Sequence, residues 1–278
     1  MNDFRLKVFK RASLSHHFEE ETFKQMQNKN IKFPTYLSSG QEFIPATIAQ
    51  VMEDKGIEPN IFIQHRGHST YLSFGGSPTE LVDELLGRKT GCAYGMGGSA
   101  SIQCIEKKIY GHDGLMGSQV PIAVGHCFAT KQPTIVFVGD SAAEEDYSLS
   151  AIGWAVTKKL PILFIVEDNN LSILTEKRIR RSWEMSDVAK GFGMNHSYNI
   201  SDDPMTIKGH MHNVFDSPML LNINTNRRYW HAGPGCDDEN IFNRYKEELL
   251  DLGKKGQIID LGNQNFVKDL WESQLKKQ

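Results

Sequence analysis

Short apolar runs alternate along the chain with longer stretches in which apolar residues recur every three or four positions. That pattern predicts strands alternating with amphipathic helices. The clearest unit lies between Thr134 and Thr175. Thr134 to Val138 is an apolar, β-branched run, short enough for a strand buried on both faces. It stops at Gly139-Asp140. Leu149, Ile152, Gly153 and Val156 then fall at helical spacing behind Glu144, Glu145 and Asp146, where acids suit the positive end of a helix. Pro161 ends that helix, and a second apolar run, Ile162 to Val166, leads into Glu167-Asp168-Asn169-Asn170. The connection in such a βαβ unit is right-handed, so the two strands are expected to be parallel neighbours.

The remaining pattern supplies the flanking elements. Residues 4–28 read as an amphipathic helix with Phe4, Val8, Phe9, Phe18 and Phe23, lying on the domain. A second helix follows Ser38-Ser39-Gly40-Gln41-Glu42, with Ile44, Ile48 and Val51 on one face and Gly56 at its end. Ser39 is its expected N-cap, with Glu42 completing a capping box. Asn60 to Ile63 is a short strand, and residues 79–87 form a helix opened by Ser77 or Thr79 with Pro78. Helices are expected over Ile122–Thr130, Asp187–Lys190 and Thr206–Phe215, an extended segment over Phe192–Tyr198, and a buried strand over Met219–Asn224. No repeat or linker divides the chain. Residues 1–278 are therefore expected to form one α/β domain, with a helical arm over residues 1–30 and a charged helical tail over residues 238–278.

Composition permits a sizeable core, with 39% hydrophobic and 23% charged residues. A formal charge of −3 leaves no electrostatic case for nucleic acid or an anionic membrane. The cysteines, Cys92, Cys104, Cys127 and Cys236, form neither a CxxC pair nor a zinc spacing, and read as reduced thiols. No segment approaches the roughly 18 apolar residues of a membrane span. The first residues, MNDFRLKVFKRASLSHHFEE, lack the apolar centre of a signal peptide, so the expected compartment is the cytoplasm.

Chemistry gathers where the strands end. Asp140 and Asn169 lie just past the carboxyl ends of the two central strands, where open α/β sheets place ligands. One carboxylate, one amide oxygen and nearby carbonyls make an all-oxygen set suited to Mg²⁺, which completes its shell with water and phosphate oxygens. A diphosphate cofactor would satisfy it; a turn and a cap are the other use of Asp and Asn at such places. The strand at Asn60 delivers Gln64-His65-Arg66-Gly67-His68. An arginine fork matches a phosphate, and imidazoles donate hydrogen bonds or move protons near neutral pH. The loop with Gly95, Gly97, Gly98 and Ser99 is able to present backbone N–H groups as an anion nest, although no Walker lysine follows it. Lys177, Arg178, Arg180 and Arg181 read as a solvated basic face, with nucleic-acid binding given little weight.

With these pieces in place, the chain over about residues 5 to 235 resembles the alpha subunits of thiamine diphosphate-dependent 2-oxo acid dehydrogenases, the decarboxylating components of the pyruvate, branched-chain and acetoin dehydrogenase complexes. The marks are SSGQE at 38–42, HRGH at 65–68, GRKTGCAYGMGGS at 87–99, GLMGSQVP at 114–121 and the GDS and EDNN blocks. The resemblance implies a three-layer thiamine diphosphate-binding fold with a central, mainly parallel sheet. It implies that Asp140 and Asn169 bind Mg²⁺ by side chain and Leu171 by its main-chain carbonyl. Asn169 is taken over Asp168 and Asn170 because the match through Leu160-Pro161 to Thr175 runs without a gap. Ser141 and Ala142 would hold the diphosphate by backbone N–H. His65 and Arg66 stand where the family has a Tyr-Arg pair on the phosphates, and Gly114 and Met116 would frame the aminopyrimidine ring with backbone groups. His231 stands where the family carries a cofactor-facing histidine on a flexible loop, implying substrate orientation or proton transfer, and His68 is a second candidate for that work.

The family draws the glutamate that activates the aminopyrimidine from a beta subunit, and no residue of this chain matches that role. The resemblance therefore implies an obligatory beta subunit, an α₂β₂ tetramer and a small-molecule 2-oxo acid substrate resembling pyruvate, with the acyl unit passed to a lipoyl carrier and, in a larger complex, to a lipoyl acyltransferase. Departures are present. Ser141 replaces a glycine, His65 replaces a tyrosine, the loop at RRYWHAGPG lacks the serine that usually follows the histidine, and the C-terminus is short. The last two favour an alternative acceptor, in a carboligase or transketolase-like enzyme adding a two-carbon unit to an aldehyde or keto sugar. A non-catalytic regulatory subunit would be expected to have lost its metal ligands first.

Overall fold

The structure, a computed structural model, describes residues 2–237 and 244–277. Helices α1 (Asn2–Gln27) and α2 (Phe43–Lys55) precede β1 (Asn60–Phe62), α3 (His68–Ser73), α4 (Pro78–Leu85) and β2 (Ile109–Tyr110). The central unit is α5 (Gln119–Thr130), β3 (Thr134–Gly139), α6 (Asp146–Thr157) and β4 (Ile162–Asp168). A small hairpin, β5 (Leu171–Ser172) with β6 (Thr175–Glu176), leads to α7 (Lys177–Arg180), α8 (Met185–Gly191), β7 (His196–Ser201), α9 (Pro204–His210), β8 (Met219–Asn224) and α10 (Arg244–Leu275). Residues 238–243 of the expected tail lie outside the described residues.

Six strands form one sheet in the order β2-β1-β3-β4-β8-β7, and every pairing in it is parallel. β3 and β4 are neighbours in register from Thr134↔Ile162 to Gly139↔Glu167. Their side chains alternate between two cores. Ile135, Phe137, Leu163 and Ile165 join the core that holds residues of α1, α2, α4 and α10, and Val136, Val138, Phe164 and Val166 join the one shared with α5, α6 and α8. Burial on both faces is why these runs are uninterrupted apolar sequence rather than alternating. The order also reverses at β1. The chain leaves β1 for β2 on one side and returns as β3 on the other, and parallel sheets bind ligands at the carboxyl ends beside such a reversal.

Local rules account for several element ends. Gly56 closes α2 in the left-handed region (φ 65°), and the Ser77 hydroxyl accepts the Glu80 N–H ahead of Pro78 to start α4. The capping box at Ser39 is overturned. α2 begins after Glu42, whose Oε2 turns back to accept the Gly40 N–H at 2.8 Å, while Ser39 Oγ is buried without a partner. Nor does α2 bury a single face. Every residue from Phe43 to Met52 is buried, because α1, α3 and α9 surround the helix. α9 is shorter than the pattern predicts and β7 lies further along, at His196–Ser201. α10 bends at Gly253 (φ 54°) and runs along α1, anchored by fully buried Trp271 beside Phe18 (ring centroids 6.0 Å apart) and by an ion pair of Arg5 with Glu248 at 2.9 Å.

The glycine-rich loop after α4 is an anion nest, but its anion is internal. Glu84 is fully buried, and its carboxylate accepts the N–H groups of Ala93 (2.7 Å), Gly95 (2.8 Å), Gly97 (2.8 Å) and Gly98 (2.9 Å). A Cβ at Gly91 would sit 2.5 Å from the same carboxylate, and Gly95 combines φ +73° with backbone 2.6 Å from where its Cβ would be. The loop is thus closed over α4 and is not open to a phosphate. Truncation Glu84→Ala strands those buried donors and is expected to destabilise the chain by about 3 kcal/mol. Denaturant midpoints measure this, and an unchanged midpoint would mean that the loop is held by something else.

Candidate active site

The carboxyl ends of β1, β3, β4 and β8 bring together four segments: Gln64–Arg66, Asp140–Ser141, Glu167–Asn169 and the loop from Thr225 to His231. Gly139 pairs with Glu167, so Asp140 and Asp168 stand at adjacent positions across the two central strands, with Asn169 one residue further. Asn169 is oriented by two bonds. Its Nδ2 donates to Gln41 Oε1 at 3.0 Å, and its Oδ1 accepts the Leu171 N–H at 3.1 Å. Ser141 Oγ donates to Ser172 Oγ at 2.9 Å, which ties the end of β3 to the β5–β6 hairpin, and Ala142 opens a short 3₁₀ turn, Ala142–Glu144.

Asp140 has a cationic neighbour that the sequence pattern concealed. Its carboxylate is ion-paired with Arg180 Nη2, and Arg181 Nη1 donates to its main-chain carbonyl at 3.3 Å. Glu144 lies 3.3 Å from Arg180 Nη1 and 3.2 Å from Arg181 Nη1. It belongs to this cluster and not to the first turn of α6, which starts at Asp146. Burial, and next Asp168, push the Asp140 carboxyl up to about 6 against the pull of the two arginines. Asp168 accepts from Lys177 Nζ at 2.6 Å and from Asn222 Nδ2 at 3.0 Å. The basic run is therefore not a solvated face. Arg178 alone of the four points outwards, while Lys177, Arg180 and Arg181 neutralise acids at the strand ends.

At the other end of the crevice lie imidazoles. His65 meets Tyr36 edge-on at 5.0 Å, His231 at 5.5 Å and His112 at 5.9 Å between ring centroids, and Tyr36 meets His231 at 5.3 Å. Arg66 is buried among them. Its Nη1 donates to the Leu37 carbonyl at 2.6 Å, and its Nη2 to the His231 carbonyl at 3.3 Å. Burial first, then Arg66 and His231, hold His65 well below its ordinary pKa; burial lowers His112 too. Between the two ends sits Glu167, buried, with Gln64 Nε2 donating to its carboxylate; burial pushes its carboxyl up to about 7. Tyr36, His112 and Glu167 were not expected at the site. Their only sequence signals were proximity to the GQE, GLMG and DNN blocks.

Gly114 turns the chain at φ +99°, and its N–H donates to His112 Nδ1 at 2.9 Å. The Met116 carbonyl accepts from the Tyr147 hydroxyl, and its side chain is partly exposed. His68 is set apart from the other imidazoles. It is fully buried, with Nδ1 on Glu19 at 3.1 Å and Nε2 on Ser99 Oγ at 2.9 Å, and Ser99 Oγ accepts the Tyr36 N–H at 2.9 Å. With both nitrogens engaged, His68 is placed to support Tyr36, not to meet a substrate, and the expected catalytic role is withdrawn.

Comparison with known proteins matches residues 10–278 to the family described as dehydrogenase E1 component. The pyruvate dehydrogenase E1 component subunit alpha of Rickettsia bellii is 29% identical over 92% of this chain and 80% of its own length. That of Rickettsia prowazekii is 30% identical over 91% and 79%, and that of Zymomonas mobilis 26% over 96% and 76%. Among solved structures, transketolase from Campylobacter jejuni matches with a TM-score of 0.60 at 16% identity, over 95% of this chain and 48% of that one, and transketolase from Leishmania mexicana with 0.61 at 12%, over 97% and 46%. The chain spans about half the length of these transketolases, and the likeness shows the fold alone.

His231 supplies a titration test. Burial first, then Arg66 and Arg227, push its pKa down to about 4 from the 6.5 of an unperturbed imidazole. The folded chain thus resists a proton that the unfolded chain accepts, so stability from this group is complete above pH 6.5 and lost as pH falls from about 6.5 to 4. His231→Gln should flatten that part of the curve of denaturant midpoint against pH. An equally steep fall in the variant would place the loss elsewhere.

Proposed function

The chain belongs to the dehydrogenase E1 component family, as the alpha-type subunit of a thiamine diphosphate-dependent 2-oxo acid dehydrogenase, and from that premise we propose that it decarboxylates pyruvate or a close relative and passes the acyl unit to a lipoyl carrier. The observation that carries this reading is the convergence of Arg66, Asp140 and Asn169 at the carboxyl ends of β1, β3 and β4, beside the reversal in strand order.

The residues fit a metal-bound diphosphate. Among the described residues no three His, Cys, Asp or Glu side chains converge as a metal cluster. A cation here would take one carboxylate, from Asp140, with neutral oxygens from Asn169 and the Leu171 carbonyl, a set that suits Mg²⁺ and leaves positions for phosphate. Buried donors without acceptors stand beside Asp140: Arg180 Nε and Nη1 and Arg181 Nε and Nη2. Donors stranded in this way call for an anion. Ser141 and Ala142 would add backbone N–H groups, with Arg66 and His65 closing that end. Gly114 and Met116 would frame the ring through backbone groups. When bound, thiamine diphosphate supplies the carbon nucleophile and electron sink that loss of carbon dioxide requires. His231, its pKa lowered by burial and Arg66, would orient the substrate or accept and return a proton, and His68 holds Tyr36 through Ser99.

An alpha-type chain of this family works with a beta subunit. We place that subunit across the crevice in an α₂β₂ tetramer, where it would supply the carboxylate that activates the aminopyrimidine, and we keep a lipoyl acyltransferase as the docking partner of a larger complex. Among the described residues no helix is long and apolar enough to cross a membrane. A cytoplasmic setting is part of the same proposal.

Calorimetric titration of thiamine diphosphate with Mg²⁺ into the αβ complex should saturate. Asp140→Ala should weaken it by at least about 100-fold, beyond the range of outer-shell changes at a metal. Pyruvate should turn over with ferricyanide as acceptor, while an aldehyde acceptor should not be consumed. Aldehyde consumption without ferricyanide reduction would move the chain to the carboligases, and absence of cofactor binding to a non-catalytic role.

A further inference from the structure

The arginine pair beside Asp140 entered the reading above only through its unmatched donors, with no role assigned to either residue, and the following inference rests on that reading for the identity of the ligand. Arg180 and Arg181 end and follow α7, with side chains 13% and 1% exposed. Each already faces an acid: Arg180 the carboxylate of Asp140, and Arg181 the carboxylate of Glu144 and the Asp140 carbonyl. Yet the two guanidinium groups keep a surplus. Arg180 Nε and Nη1 and Arg181 Nε and Nη2 are buried and have no hydrogen-bond acceptor. Glu144 Oε1 lies within ion-pair distance of both side chains and accepts a hydrogen bond from neither. Asp168 offers little relief, since Lys177 and Asn222 occupy it and Arg181 Nη2 is 3.9 Å away.

Two guanidinium forks with unmatched donors, buried at a strand end, suit a ligand with several acceptor oxygens and more than one negative charge. A divalent cation alone is the opposite of that. It competes with Arg180 for the Asp140 carboxylate and would meet two fixed positive charges. A cation arriving with a diphosphate removes the conflict, because phosphate oxygens replace the carboxylate that Arg180 gives up. We propose that Arg180 is a diphosphate-binding residue of this chain, paired with Asp140 in the ligand-free protein and with a phosphate oxygen when the metal-bound diphosphate occupies the site. Arg181, held on the Asp140 carbonyl and beside Glu144, is the fixed wall behind it.

The test is equilibrium binding to the αβ complex, with no turnover required. Trp183 lies 4.8 Å from the Arg181 guanidinium and supplies a fluorescence signal beside calorimetry. Two probes are titrated at saturating Mg²⁺, thiamine diphosphate and inorganic diphosphate, and Mg²⁺ alone is titrated separately. Arg180→Met should weaken both diphosphates by at least about tenfold, the size of a lost charge-assisted hydrogen bond. It should bind Mg²⁺ alone as well as or better than the parent, since the carboxylate loses its competitor. Arg180→Lys, which keeps the charge and loses the fork, should fall between, and Arg178→Met, on the outward face of the same turn, should match the parent. Diphosphate binding by Arg180→Met and Arg180→Lys as tight as the parent's, or tighter, would overturn the proposal and leave Arg180 as a plug on Asp140. If the unaltered complex binds inorganic diphosphate but not thiamine diphosphate, the functional reading fails while the diphosphate site stands. If it binds neither, both fail.

Discussion

The in-register parallel pairing of β3 with β4 is the constraint from which the rest of the site follows. Both strands are buried on both faces, and their side chains alternate between two cores that differ in partners and size. A slip of one residue would send every side chain of a strand to the wrong core. It would also carry Asp140 away from Arg180 and from the level of Asn169. The apolar runs therefore fix the heights of polar residues that they never touch. The glycine at the end of β3 belongs to the same constraint: a Cβ on Gly139 would come within 3.3 Å of Gln64 Oε1, and Gln64 is the residue that holds Glu167.

Around that frame the crevice separates charge into two ends. Asp140, Glu144 and Asp168 lie at one end, countered by Arg180, Arg181 and Lys177. At the other, burial first and then the charges of Arg66 and Arg227 lower the pKa of His65 and His231, and Arg227 is itself fixed by Asp237 at 2.6 Å. A neutral imidazole is a base; a protonated one is not. The buried arginines thus favour the form of His231 that proton transfer on the proposed reading requires. Their own hydrogen bonds are mostly to carbonyls: Arg66 to Leu37 and His231, and Arg227 to Ile173. These are bonds that orient loops, which is why the loop from β8 and the hairpin after β4 meet over the strand ends.

How much of this was legible in the sequence depended on distance along the chain. Strands β1, β3, β4 and β8, the βαβ unit, the Gly56 end and the Ser77 cap are local and were read within a residue or two, whereas β7 lies further along than its expected segment. So was the position of Asp140 and Asn169 past the strand ends, because strand length and register set it. What escaped was where long polar side chains turn. The glycine loop that promises an anion site gives no hint that Glu84, nine to fourteen residues before the N–H groups it accepts, fills it. A basic run normally faces water, and only the approach of Arg180 and Arg181 to the carboxyl end of β3 buries them beside an acid 40 residues before Arg180. His68 looked as reactive as His65 from its block, yet Glu19, 49 residues upstream, takes one nitrogen and Ser99 the other.

The surface around the crevice bears on the partner that the proposed reading calls for. Leu115, Ile173, Leu174, Ile179 and Trp230 are more than half exposed, and each sits on a segment that carries a site residue: Gly114, Asn169, Arg180 or His231. Single exposed apolar residues are ordinary; five on the segments that carry the site residues fit the covered surface that the proposed reading calls for. The hairpin after β4 places Ile173 in the left-handed region (φ 53°), a conformation that β-branched residues adopt only under constraint. Its backbone carbonyl is held from inside by Arg227, so the hairpin is braced from below while its apolar side chains face outwards. A rim braced in that way is suited to receive a second subunit without rearranging. On the proposed reading, the covering chain would exclude water from the crevice and bring the remaining catalytic group with it, and the alpha-type chain would hold the diphosphate end.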